Sequence, residues 1–133
     1  MSYEYKLCGA ICQLLRENAK IMAHVNAVYL ARPDKATPPY INIQNSMALP
    51  WSGTEFQGQE IRMALRYIAP RSEEVGGEEI HQLLPKMIEN MPRAQDGYDI
   101  INMQILRQET SRTADGKWTF DLGVMARISI HNQ

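Results

Sequence analysis

The chain is short of almost everything from which a chemical site is built. Its 133 residues hold two cysteines, Cys8 and Cys12, and three histidines, His24, His81 and His131, and no histidine has a second ligand-type residue at metal-binding spacing. No metal site is therefore expected. Cys8 and Cys12 stand four apart among apolar neighbours, which turns both to one side of a helix and leaves no loop to staple, so they read as small core residues. No phosphate cradle is present either: Gly76 and Gly77 lack the flanking spacing and the lysine. Glu73, Glu74, Glu78 and Glu79 are neighbouring carboxylates, but solvation and the helix dipole account for acids in a first helical turn. The reading is a chain that is not an enzyme, with no catalytic residue and no cofactor.

Charge of one sign is missing as well. With 14 basic and 15 acidic residues the net charge is −1, so there is no electrostatic footprint of a protein that grips nucleic acid by its phosphates. No run approaches 18 consecutive apolar residues, and the opening MSYEYK sets an acid, Glu4, near its one lysine with no apolar signal region after it. The expectation is a protein made and first used in the cytoplasm, with no membrane partner. What is plentiful is core material: 44% hydrophobic content over 133 residues predicts one domain, 1–133, with a substantial interior.

The clearest pattern is WTFDLGVMARISI, residues 118–130, in which apolar Trp118, Phe120, Leu122, Val124, Ala126, Ile128 and Ile130 alternate with the other face. This predicts a half-buried antiparallel strand. At about 3.3 Å per residue it spans roughly 43 Å, against a diameter near 36 Å for a compact chain of this size. It must bend, with a bulge at Gly123 as the obvious place, or project and pair with something else. A projecting apolar strand implies an oligomer.

Leu7, Cys8, Ile11, Leu14 and Leu15 recur at helical spacing and predict a first helix over 3–16. Asn18 offers a cap to a second short turn, and a brief extended piece follows through Val28, Tyr29 and Leu30. Three prolines within 31–39 make an exposed loop that delivers the chain into a strand over 40–47. Residues 60–69 alternate cleanly through Ile61, Met63, Leu65 and Tyr67. Between these two strands lies a loop, 48–58, that carries Trp51 and Phe56. Large apolar residues in an exposed loop mark a partner surface, unless the loop folds back over an open end of the sheet. Ile80, Leu83, Leu84, Met87, Ile88 and Met91 predict a second main helix, with a kink at Pro85 or a start close to it. Residues 98–108 alternate through Ile101, Met103 and Ile105, and a turn at Asp115 and Gly116 leads back into the long strand. The fold class is α+β: a four-stranded, mainly antiparallel sheet with two main helices on one face, in the order helix-strand-strand-helix-strand-strand.

Several segments in this order carry a resemblance: the helix ending LLRENAKIMAHV, the link VYLARPDKATPPYINI, the charged strand QEIRMALRYIA, the helix EEIHQLLPKMIENM, and the closing pair DIINMQILRQETSRTADGKWTFDLGVMARISI. Over most of its length the chain resembles the small tail-completion, or tail-terminator, proteins of long-tailed bacteriophages and related particles. The long aromatic loop and the mid-helix Pro85 set it apart. The resemblance implies a structural virion protein of the neck, assembled in the host cytoplasm, that forms a ring, commonly of six subunits. Such a ring stops tail-tube growth and joins the tube protein to the head-side connector or stopper, while DNA passes through its lumen without specific binding. The interface residues expected on this reading are Trp51 and Phe56 in the loop, and Arg107, Glu109, Arg112 and Lys117 in the arm formed by the hairpin over 106–130. Two other readings stay open: a head-side stopper or adaptor of the same neck, and a small ligand-binding domain with its site under the aromatic loop.

Overall fold

A computed structural model describes residues 2–70 and 78–131. Glu73, Glu74, Gly76 and Gly77 lie outside them. The first helix, α1 (Tyr3–Arg16), starts where expected because the Ser2 side chain accepts a hydrogen bond from the Tyr5 amide at 3.1 Å. It buries Leu7, Cys8, Ile11, Cys12 and Leu15. The short α2 (Ala19–Met22) is capped by Asn18, whose side chain accepts from the Ile21 amide at 2.9 Å. Burial pushes the Cys8 thiol up to about 11 and raises Cys12 as well, which is how core cysteines behave.

The sheet has five strands rather than four. The extended piece after α2 forms β1 (Ala27–Tyr29), which pairs in parallel with the start of β2 (Tyr40–Pro50). Three residues are too few for alternation to declare a strand, and tertiary contacts supply the rest. The Arg16 guanidinium donates to the Val28 carbonyl at 2.6 and 3.1 Å, and the Asn26 amide donates to the Pro39 carbonyl at 2.8 Å. β3 (Gln57–Ile68), α3 (Glu78–Glu89), β4 (Tyr98–Arg112) and β5 (Trp118–Ile130) follow, in the sheet order β1-β2-β3-β5-β4. The helix α3 begins far from Pro85 and runs through it, with Pro85 buried.

Ladder pairing sorts the side chains onto two faces, since directly opposed residues point the same way. Ile61, Met63, Leu65 and Tyr67 of β3 oppose Ala126, Val124, Leu122 and Phe120 of β5. All eight share one core with Leu7, Ile11 and Leu15 of α1 and Ile80, Leu84 and Ile88 of α3. The His81 ring of α3 stacks on Phe120 at 4.1 Å, and burial there lowers its pKa. The other face of the sheet carries Glu60, Arg62, Arg66, Asp121 and Arg127.

The long strand β5 neither bulges at Gly123 nor leaves the sheet. It pairs without a break against β3, and β4 on its other side is longer still. The irregularity sits in the neighbour: β4 shifts register between Ile105 and Arg107, opposite Gly123, and again between Ile100 and Asn102. Gly123 is not demanded by this bulge, since a Cβ there would meet the Arg107 side chain at an ordinary contact distance of 3.4 Å. The two register shifts correct the simple alternation expected for β4. Ile100 and Met103 are buried, whereas Ile101 is the extra residue of a bulge and is 56% exposed.

Candidate assembly surfaces

Sheet pairing trims the loop expected over 48–58 to residues 51–56, since β2 runs on to Pro50 and β3 begins at Gln57. Its form is set locally. The Ser52 hydroxyl accepts from the Gly58 amide at 3.0 Å, and the Gly53 amide donates to the Phe56 carbonyl at 3.2 Å. Trp51 and Phe56 thereby pack against each other, ring centroids 5.1 Å apart, and the Arg127 guanidinium lies 5.5 Å from the Trp51 ring. Arg127 also donates to one oxygen of Glu60 at 3.0 Å while Arg62 donates to the other at 2.9 Å. Arg127 and then Arg62 hold the Glu60 carboxyl below its usual range. The loop therefore folds back onto the polar face of the sheet and half-buries Trp51, but it leaves Phe56 38% exposed.

The second group of expected residues lies along the hairpin of β4 and β5. Its turn is closed by the Thr113 amide donating to the Lys117 carbonyl at 2.8 Å and by the Gly116 amide donating to the Thr113 carbonyl at 3.0 Å. Gly116 has φ +88°, a conformation other residues rarely adopt. Lys117 pairs with Asp115 at 3.2 Å, and the Thr113 hydroxyl together with Lys117 lowers the Asp115 pKa. Arg112 lies 4.5 Å over the Trp118 ring, which fixes both near the tip. Arg107 and Glu109 are exposed.

The structure does not bring the two groups together. Residues 57 and 130 are paired next to the aromatic loop, whereas residues 112 and 118 are paired next to the hairpin turn. The two features thus sit at opposite ends of the same strands, roughly 40 Å apart at the rise of a β-strand. Between them the polar face is pinned by Arg66, which donates to both oxygens of the buried Asp121 at 2.7 and 2.9 Å and is made more basic by it.

Reading the sequence for alternation missed Ile101 and Leu106. Both are the unpaired residues of β4 bulges, and they are 56% and 50% exposed. The signal was present: the doublets Ile100-Ile101 and Ile105-Leu106 each break the period of two, which a regular strand with one wet face does not tolerate. They project from an outer strand. Among the described residues, backbone hydrogen bonds to the outer edge of β4 come from residues 93–95 and stop at Ile100. The opposite edge is open too, because β1 covers β2 only over residues 40–42. Beside that edge lies a cleft of about 530 Å³, lined by the start of α1, residues 30–32 and residues 43–46.

Among the described residues no three His, Cys, Asp or Glu side chains gather as a metal site, and no helix is long and apolar enough to cross a membrane. The sequence model of the family described as Tail completion protein gp17 matches residues 9–129. A chain of the virion of a native gene transfer agent particle has a similar fold, with a TM-score of 0.81 at 20% sequence identity, over 96% of this chain and 99% of that one. No curated protein matches the sequence.

Proposed function

Because the chain belongs to the Tail completion protein gp17 family, a family of structural proteins of phage-type tails, we propose that it forms the ring that ends the tail tube and joins it to the head-side connector. The observation that carries this reading is the family match across residues 9–129. The open edges on both sides of one sheet support it, since a head-to-tail contact between unlike edges closes into a ring when the rotation permits. The proposed copy number is six. With the ring axis along the strands, the aromatic loop with Trp51 and Phe56 lies on one face of the ring. The tip with Arg112 and Lys117 then lies on the other, so that each can meet a different partner, tube or connector. Arg107 and Glu109 lie on the side, towards a neighbouring subunit. A net charge of −1 suits a lumen through which DNA slides without sticking.

Deleting residues 111–115 together with Trp51→Ala tests the role of the two ends. Both changes lie outside the buried cluster, so the purified variant is expected to keep a cooperative unfolding transition. Particle assembly complemented by it is expected to stall with tails and heads unjoined, lowering infectious titre by at least about a hundredfold, the scale of losing two interface anchors. Normal titre from a folded variant would remove these loops from the joint.

A further inference from the structure

The two open edges of the sheet match one another in direction, in level and in chemistry. From β2 through β3 and β5 to β4 every pairing is antiparallel, so β4 runs opposite to β2. A copy related by rotation about an axis along the strands keeps its strand directions, and it therefore offers its β2 antiparallel to the first copy's β4. The free stretches also stand at one level. The ladder connects Asn45 to Ala64, Ala64 to Gly123, and Gly123 to Arg107. The β2 bulge at Gln44 and the β4 bulge at Leu106 consequently flank this one line across the sheet, each next to it.

The cleft beside the β2 edge lies at this same line. Its lining includes Cys8, Leu30 and Ile43, with Glu4 and the 53% exposed Tyr5 from α1 and Gln44 from the bulge itself. What projects from β4 at that level is Leu106, 50% exposed, an apolar side chain for a cleft that offers apolar surface at Leu30 and Ile43; Arg107, opposite Gly123, points to the polar face of the sheet, away from α1. A 15-residue outer strand without proline, carrying two exposed aliphatic side chains, is a liability unless it is covered.

We infer that a second copy of this chain covers it. Leu106 of one subunit seats in the cleft of the next, and residues 102–107 of β4 extend the neighbour's sheet antiparallel along residues 45–49 of its β2. The ring is then closed by one continuous sheet. This rests on the ring reading above and names the contact that makes the ring.

The test is a pair of cysteines, Gln44→Cys with Leu106→Cys, in a chain whose own two thiols are removed by Cys8→Ala and Cys12→Ala, oxidised by copper phenanthroline in the presence of tail-tube protein. Opposed antiparallel residues have Cα atoms about 4.5–5.5 Å apart, within disulfide reach. A ladder of covalent species that ends at the ring number is expected from the double variant, with nothing beyond dimer from either single variant. In parallel, Leu106→Asp is expected to lower the affinity between copies at least tenfold by light scattering, with an unchanged thermal transition because the side chain is exposed. Rings that persist in Leu106→Asp, with no ladder from the cysteine pair, would overturn this contact and leave the ring intact. A wild-type chain that stays monomeric with tube protein would overturn both.

Discussion

A Gly58→Ala chain is expected to unfold about 3 kcal/mol more easily than the parent, at the upper end of the range for forcing a methyl group into filled space. Gly58 is buried at the start of β3, where the chain passes beneath the aromatic loop. An added Cβ would overlap the Trp51 carbonyl oxygen and stand 2.5 Å from the Ile128 carbonyl oxygen and 3.0 Å from the Trp51 ring. Backbone oxygens cannot swing aside as a side chain does. Relief requires that the loop lift away, which also breaks the hydrogen bonds between Ser52 and Gly58 and parts Trp51 from Arg127. The comparison that isolates this cause is Gly53→Ala, where the atoms nearest to an added Cβ all belong to the Phe56 ring. That ring can rotate, and the expected loss is about 1 kcal/mol or less. Urea titrations with equal slopes check the difference. Equal losses at the two glycines would mean that the loop does not rest on the sheet in this way.

Removing the acid at the centre of the polar face has an effect of similar size. Asp121→Ala takes away both acceptors of Arg66 and leaves a guanidinium that is two-thirds covered without its counter-charge. Breaking a buried ion pair from one side costs about 3–5 kcal/mol. Because Arg66 reaches some solvent, the expected loss is at the low end, about 3 kcal/mol. Replacing both partners, as in Arg66→Met with Asp121→Leu, leaves no orphaned charge and is expected to recover most of that loss. A double variant as unstable as Asp121→Ala would show that the pair organises the sheet in some other way than by mutual neutralisation.

Much of the fold could be read from the residues because much of it is repetitive. The helix spacing of Leu7, Ile11 and Leu15, the serine and asparagine caps, and the alternation in β3 and β5 all carry their geometry locally. What could not be read depends on partners distant in sequence. β1 exists because Arg16 and Asn26 hold it to β2, and α3 runs through Pro85 with that residue packed in the core. The expectation that the long strand bends at Gly123 or projects does not hold, because β5 pairs along its whole length inside the sheet; the bulge sits on β4, opposite Gly123, since a bulge can fall on either member of a ladder. Trp51 and Phe56 were recognisable as unusual loop residues, and the structure adds that they fold back on Arg127. Arg107, Glu109, Arg112 and Lys117 were read as one group, yet Lys117 and Arg112 are tied to Asp115 and Trp118 within the hairpin itself. Leu106 and Ile101 escaped because doublets were read as alternation.

The ring is tested most directly by the mass of the purified chain in solution, measured by light scattering over a range of concentrations with and without tail-tube protein. A species of about six subunits, formed alone or on addition of tube protein, is the expected result. A monomer at every concentration, indifferent to tube protein, would contradict it and point to a head-side position in the neck.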